Sequence, residues 1–573
     1  MASASLVSVA NNMDIQSDWT LSASLNVQGY ILVKKLGSAP SFTPVSGMDY
    51  EVGPIDGGRE IVYKGTDNSF LDEFNPDGRY YYEVFAYSPE FLYSAAASSN
   101  AEIVHNTWAW MYGSTTTNPA MVRGTKGVAS ASNNPGPRSH PTVCGHGDTF
   151  YLFGGADTSN FELFADLWRF RNGEWTWLAG PTTTEQPGTY LGLAGELNAG
   201  NQPGARRDAT CAVDNNGDFW MYAGEGYDGN SPVDDTASLE DLWRFDMGTQ
   251  QWAYMSGKQD CSVQEDCWPY YPSETSFFDI DPKPGARIDH AMVFDYENTL
   301  FLYGGQGYIA GNSSDYLADL WRFDTADNKW VFLRGDSNLS TDSNFGSGVG
   351  SSTTIPGARS NTAIVAGREG FVIFGGYGKD KDQIEGKLSD IWSYDIISND
   401  WSPGPANQSA NQFGVYGTQG EPSGMNFPGS RVDAQIWIDA GQQIIVFGGN
   451  GYASANQGNL NDVWILGQGG WKWARGSSSR NGSESKGASG VDDKTYTPNA
   501  RRGMASGIDP DTGKLLLFGA VGQDLGFAPG LLGPVGPRTI DASGTYDLWR
   551  FSTVGTLCPP FSENPSFCFA PKF

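Results

Sequence analysis

The sequence predicts an all-β chain, a six-bladed β-propeller closed by an N-terminal outer strand and preceded by a β-sandwich. Three observations carry this prediction. One sequence pattern recurs six times: a Pro with an Arg three residues on, an apolar run ending in glycines, Asp-(Leu/Ile/Val)-Trp, then a further aromatic strand. The last copy stops one strand short, and a matching strand stands alone ahead of the first copy. Residues 1–104 lack the pattern and show period-two runs instead. Four short strands cannot bury both faces alone, so neighbouring copies must stack, and radial stacking gives a propeller.

In chain order the markers are Pro135/Arg138, Pro203/Arg206, Pro284/Arg287, Pro356/Arg359, Pro428/Arg431 and Pro498/Arg501. The glycines are Gly154-Gly155, Gly224 with Gly226, Gly304-Gly305, Gly375-Gly376, Gly448-Gly449, and Gly519 with Gly522. The tryptophans after Asp are Trp168, Trp243, Trp321, Trp392, Trp464 and Trp549. Each unit reads as four strands: one after the Arg, a short run ending at the glycines, the Asp-Leu-Trp-Arg-Phe segment, and one around the next aromatic pair. The glycines permit positive φ and close backbone approach where the second strand exits.

At these residues the chain resembles the kelch-repeat family: Gly-Gly after the second strand, an aromatic-rich third strand, Trp in the fourth. The resemblance covers about residues 105–552 and implies a kelch-like propeller. Ala223-Gly224-Glu225-Gly226, Gly519-Ala520 and Trp464-Ile465-Leu466 depart from the pattern. After the sixth third strand the chain turns to Pro and Cys, with no further Trp strand. The segment Thr107-Trp108-Ala109-Trp110-Met111-Tyr112-Gly113 matches the fourth strands Trp175-Thr176-Trp177 and Trp471-Lys472-Trp473. It is therefore expected to complete the last blade and remove an exposed edge.

Upstream, the runs Tyr30-Ile31-Leu32-Val33, Glu60-Ile61-Val62-Tyr63 and 80–86 suggest a β-sandwich over 1–104. Phe74-Asn75-Pro76-Asp77-Gly78-Arg79-Tyr80 resembles the E–F corner of a fibronectin type III domain. That resemblance implies Tyr80 as the corner tyrosine and Trp19 as a core residue. Residues 553–573 read as a Pro- and Cys-containing tail.

Composition narrows the partners. The net charge is −29, which argues against nucleic acid and anionic membrane surfaces. No apolar run is long enough to span a bilayer, and the first residues do not read as a signal peptide. Six cysteines suggest three disulfides: Cys261/Cys267, Cys558/Cys568, and Cys144/Cys211 across two adjacent first strands. Buried free thiols are the other reading. Disulfides favour an extracellular or cell-surface setting, with a cytoplasmic location as the alternative. Asn312, Asn338, Asn407 and Asn481 sit in glycosylation sequons, a pattern an Asn- and Ser-rich chain also produces by chance.

The sequence offers little catalytic chemistry. There is no HExxH and no Gly-x-Ser-x-Gly, and Gly375-Gly376-Tyr377-Gly378-Lys379 runs into Asp380 rather than Ser or Thr. His105, His140, His146 and His290 are the only histidines and read as structural, His140 and His290 in first strands. A sandwich beside a kelch propeller is also the plan of galactose oxidase-like copper radical oxidases, but their Cys, Tyr and His set has no matching arrangement here. No cofactor and no catalytic residue is therefore assigned. Arg334-Gly335-Asp336-Ser337 matches an adhesion tripeptide, yet occupies a place where other repeats read Leu-Ala-Gly or Met-Ser-Gly. Asp228, Asn230, Asp234 and Asp235 are weak calcium candidates without the spacing of a defined calcium loop.

Loop length is the informative feature. First-to-second and third-to-fourth turns are short, whereas second-to-third loops (156–165, 227–240, 306–318, 377–389, 450–461, 520–546) and blade-to-blade loops (181–202, 256–283, 335–355, 402–427, 476–497) are long. Both long sets are expected on one face, where loops on a rigid scaffold usually bind. The leading expectation is a non-catalytic protein-interaction or structural module, extracellular, in adhesion, matrix or a polymer that includes copies of itself. The second is a lectin-like carbohydrate binder stacking sugars on Trp268, Tyr270, Tyr271 and Tyr316. The third is the copper oxidase.

Overall fold

The computed structural model describes residues 5–11, 14–23, 26–72, 78–103, 106–113, 120–229, 236–261, 263–271, 281–309, 313–335, 355–439, 441–467, 469–519, 521–522 and 546–553. Two compact units meet in sequence between Thr107 and Trp108. Among the described residues there is no α-helix; one 3-10 turn, Gln264–Cys267, interrupts the strands.

In the first unit, strands Leu6–Asn11, Asp14–Trp19 and Ser69–Asp72 form one antiparallel sheet. Gly53–Pro54, Arg59–Gly65, Gly29–Leu36, Gly78–Tyr87 and Ala97–Ile103 form a second, in that spatial order. Alternation sends Tyr30, Leu32, Tyr82 and Val84 onto Leu6, Ile15 and Trp19 of the other sheet. Ile31, Val33 and Phe85 face the opposite way, into a cluster with Ile61, Phe42 and Tyr50. The run Tyr30–Val33 is continuously apolar because both faces are covered. Trp19 is 3% exposed and sits in the first cluster; Tyr80 is equally buried, with the Lys34 ammonium over its ring.

Among the described residues the second unit repeats a four-stranded antiparallel core, which short extra strands extend in three of the sheets. Sheet one is Thr142–His146, Thr149–Phe153, Leu167–Arg171 and Glu174–Ala179; sheet two is Thr210–Val213, Phe219–Gly226, Ala237–Asp246 and Gln251–Ser256. Sheet three is Ala291–Phe294, Leu300–Tyr303, Leu320–Asp324 and Lys329–Arg334; sheet four is Ala363–Gly367, Gly370–Lys379, Glu385–Asp395 and Asp400–Pro403. Sheet five is Gln435–Ile438, Ile444–Phe447, Val463–Gly467 and Gly470–Arg475. Sheet six takes Ala505–Ile508, Leu515–Phe518 and Asp547–Ser552, and its outer strand is Thr107–Gly113.

First strands touch in sequence order, and the first strand of sheet six touches that of sheet one. Each neighbouring pair shares an apolar layer. Trp243 and Trp252 pack against Phe153 and Leu167 between sheets one and two. Trp108 and Trp549 pack against Phe447 between sheets five and six, and Phe518 packs against Phe150 and Trp168 where six meets one. Register shifts at Leu167/Trp168, Leu242/Trp243, Leu320/Trp321 and Val463/Trp464 place a bulge at one point in four third strands. The tryptophan that follows each bulge is wholly buried.

The loops expected at 306–318, 377–389 and 450–461 are largely hairpins. Past the glycines the second strand resumes pairing with the third, and with the marker Arg and its successor: Arg287 opposite Gly307, Arg359 opposite Gly378, Arg431 opposite Gly451. A left-handed glycine redirects the chain without ending the ladder, which a reading of Gly-Gly as a strand terminus misses.

Candidate functional site

Six buried ion pairs fix the frame on which any site must sit. Each marker arginine has no exposed side-chain surface and meets the Asp of its own third strand. All six pairs are two-pronged, the second prong of Arg138 being the longest at 3.4 Å; Arg359 reaches both oxygens of Asp390 at 2.7 Å, and Arg206 reaches those of Asp241 at 2.6 and 2.7 Å. The indole N–H two residues later donates to the same carboxylate, at 2.6 Å in Trp243 and 2.7 Å in Trp392, which explains the Asp-x-Trp spacing. Burial alone would raise the Asp241 carboxyl; the Arg206 guanidinium, with Trp243 and Tyr190 donating, holds it below its usual value. Asp166 is lowered likewise, by Arg138 and Trp168.

The arginine backbone serves the preceding sheet. The second glycine N–H donates to the next Arg carbonyl at 2.9 Å in Gly155–Arg206, Gly305–Arg359 and Gly449–Arg501. A Cβ at Gly154 would lie 2.4 Å from the Arg206 carbonyl oxygen, so only glycine admits that approach.

Two residues past each arginine the chain turns left-handed: His140, Asp208, Asp289, Asn361, Asp433 and Gly503 have φ between 52° and 64°. Each of the last five donates its N–H to the carbonyl of its predecessor, at 2.9–3.4 Å. This backbone collar rims a central channel of about 450 Å³ lined by the first strands. His140 is thus an exposed collar residue rather than part of a first strand. His146 ends the strand Thr142–His146 rather than occupying a turn. His290 is buried edge-on against Tyr222 at 5.4 Å, with burial and then Arg287 pushing its pKa well down. Among the described residues no three His, Cys, Asp or Glu side chains group as a metal set.

Among the described residues, most blade-to-blade loops are not free binding loops. Four are stitched along the outer strand of the following sheet. Gly127, Gly195, Gly420 and Gly490 donate N–H groups to the carbonyls of Trp177, Tyr254, Trp473 and Trp110, at 2.7–2.9 Å. The Asn133 and Asn201 amides donate to the Trp175 and Trp252 carbonyls, and Leu197–Asn198 and Pro422–Ser423 pair as short edge strands. These caps blunt the outer edges. A sequence signal existed: a glycine stands at the same distance before the marker proline in Gly127/Pro135, Gly195/Pro203, Gly420/Pro428 and Gly490/Pro498.

The caps also insert a tyrosine into the ion pair. Tyr190, Tyr271 and Tyr416 donate their hydroxyls to Asp241, Asp319 and Asp462 at 2.7–2.9 Å, and their rings pack on Trp243, Trp321 and Trp464. Tyr271 is therefore a strut, not a free sugar platform. Its neighbour Tyr270 pairs through its backbone with Lys283, and Trp268 is half-buried with an enclosed indole N–H. Tyr316 keeps part of its ring exposed, 5.5 Å from Tyr377.

Cys144–Cys211 joins the first strands of sheets one and two, and Cys261–Cys267 closes a loop against Ala286 and Ala237. Cys558 and Cys568 lie outside the described residues. Asp228 is buried and accepts the Cys261 N–H at 2.7 Å, which makes it a brace for that loop rather than a calcium ligand; Asn230, Asp234 and Asp235 lie outside the described residues. Arg334 donates to the Asn399 carbonyl at 2.6 Å, so its Arg-Gly belongs to the frame, while Asp336 and Ser337 lie outside the described residues. Asn481 is exposed and Asn407 half-buried; Asn312 and Asn338 are likewise outside.

Buried Arg–Asp–Trp units linked by glycine pairs thus recur through the second unit. Residues 263–415 match the KLHDC2/KLHL20/DRC7 Kelch-repeats domain, which supports the kelch-repeat family for this chain. Protein ral2 of Schizosaccharomyces pombe (strain 972 / ATCC 24843) is 26% identical over 217 residues, covering 35% of this chain and 30% of that protein's length. Among solved structures, that of YjhT is 12% identical, covers 73% of this chain and 96% of its own, and has a TM-score of 0.42.

Proposed function

We propose that the chain is a non-catalytic protein-interaction or structural module: a six-bladed propeller closed by its N-terminal outer strand, behind a fibronectin type III-like sandwich. The observation that carries this reading is the division of labour among the loops. Short turns close one end of the sheets and caps run along four of the outer edges, which leaves the second-to-third hairpins as the main surface free to recognise a partner. The charge of −29 favours protein partners over nucleic acid. Two disulfides support an oxidising, extracellular setting and a role in adhesion or an assembly.

The test is affinity purification of the full chain from its native source, beside a variant with the hairpin tips at 381–384 and 454–456 replaced by Gly-Ser. A discrete protein partner, retained by the native chain and lost by the variant, is expected. Stoichiometric copper with alcohol-oxidase activity, or specific glycan-array binding without a protein partner, would favour the other two readings instead.

A further inference from the structure

The hairpins of sheets three, four and five, with Phe413 of the blade-to-blade loop between sheets four and five, carry an aromatic run. Tyr316 and Tyr377 have ring centroids 5.5 Å apart, and Phe413 packs edge-on against Tyr452 at 5.2 Å. Lys387, opposite Tyr377 in the ladder, donates to the Asn450 side chain on the neighbouring hairpin, two residues before Tyr452, which links the two pairs. All three tyrosines are half-buried and Phe413 is 49% exposed.

Carboxylates border this run. Glu385 is exposed, on the strand paired with that of Tyr377 and two register positions along, hence on the same face. Burial first, then Glu385, Tyr377, Asp315 and Asp289, push the Tyr316 hydroxyl up. Tyr316 pairs with Gln306, which pairs with Ile288 next to the collar residue Asp289, so the run leads to a channel mouth that also carries Asp433 and Asp208, the latter paired with Arg207. The lysines of the sheet-four hairpin are engaged locally: Lys381 with Asp382, Lys387 buried against Asn450, and Lys379 opposite Glu385 in the ladder.

We propose that this aromatic run and the acidic mouth beside it dock a cationic segment, a stretch of a partner protein rich in Lys or Arg. The proposal rests on the protein-interaction reading and names the chemistry of its partner. Ammonium and guanidinium groups bind over aromatic faces, and tyrosine supplies contact area at low entropic cost. Carboxylates around the rings add complementary charge, and the −29 of the whole chain draws a basic partner inward. A neutral sugar would gain nothing from that field.

The experiment selects random displayed peptides on the full chain, then measures a synthetic copy of the enriched sequence by fluorescence anisotropy. Enriched peptides should carry an excess of Lys and Arg, and association should slow as salt rises. Glu385→Gln, at an exposed position where folding is untouched, and Tyr377→Ala should each weaken binding at least about tenfold. Peptides without a basic excess, or unaffected by Glu385→Gln, would overturn this proposal while leaving the interaction reading in place. Failure to select any peptide, together with glycan binding, would remove both.

Discussion

A guanidinium with no exposed surface is tolerable only where its charge and donors are matched, and each marker arginine meets that condition through one carboxylate and at least two backbone carbonyls. Breaking such a pair strands a buried charge, so Arg359→Ala should cost about 3–5 kcal/mol in urea unfolding. Arg359→Lys should recover little, because an ammonium cannot span both oxygens of Asp390. The linked carboxylates set an acid limit. Asp166 and Asp241 are depressed in the folded chain, so their contribution is complete above the unfolded carboxylate pKa of about 3.9 and lost as pH falls through the folded values. Glu240 behaves oppositely. Burial, partly offset by Lys283, pushes it up to about 7, so the folded state holds its proton more tightly than the unfolded state. Stability should therefore fall as pH rises from about 4.5 to about 7 and then level off. Urea midpoints across that window should lose this slope in Glu240→Gln.

At the scale of the element, Thr107–Gly113 is the strand on which closure depends. Trp108 is 1% exposed and contacts Phe447, Trp549 and Phe551. Trp108→Ala in the full chain should cost about 3–5 kcal/mol and open sheet six first, read as faster amide exchange at 505–518 than at 435–447. Replacing Cys144 and Cys211 by Ala frees a closure of 67 residues and should cost about 4 kcal/mol on a chain-entropy account. These elements were legible because apolar runs, Asp-x-Trp and Gly-Gly are local signals repeated six times. The caps were not. Their stabilisation comes from carbonyls on a strand tens of residues away, as in Gly420 to Trp473, and their own residues are polar and glycine-rich, so they read as open loop. Tyr271 looked like a surface aromatic for the same reason: only the fold brings Asp319 to its hydroxyl.

For the whole molecule, the sealed edges and closed set of first-strand contacts leave few ways to recognise another protein. Strand addition is blocked at four outer edges by the caps, which hold the Trp177, Tyr254, Trp473 and Trp110 carbonyls. The frame has no spare charges, since every marker arginine is paired. Recognition then falls to the hairpins at 377–389 and 450–461 and their neighbours on sheets two and three. In a complex, a specific contact should bury at least about 1,000 Å² in total. Hydrogen exchange should show protection at those hairpins on binding, with the caps at 188–202 and 417–427 unchanged. Protection confined to the caps, or to the short turns at 214–217 and 295–298, would place the partner on a surface this reasoning treats as closed and would require the outer edges to open.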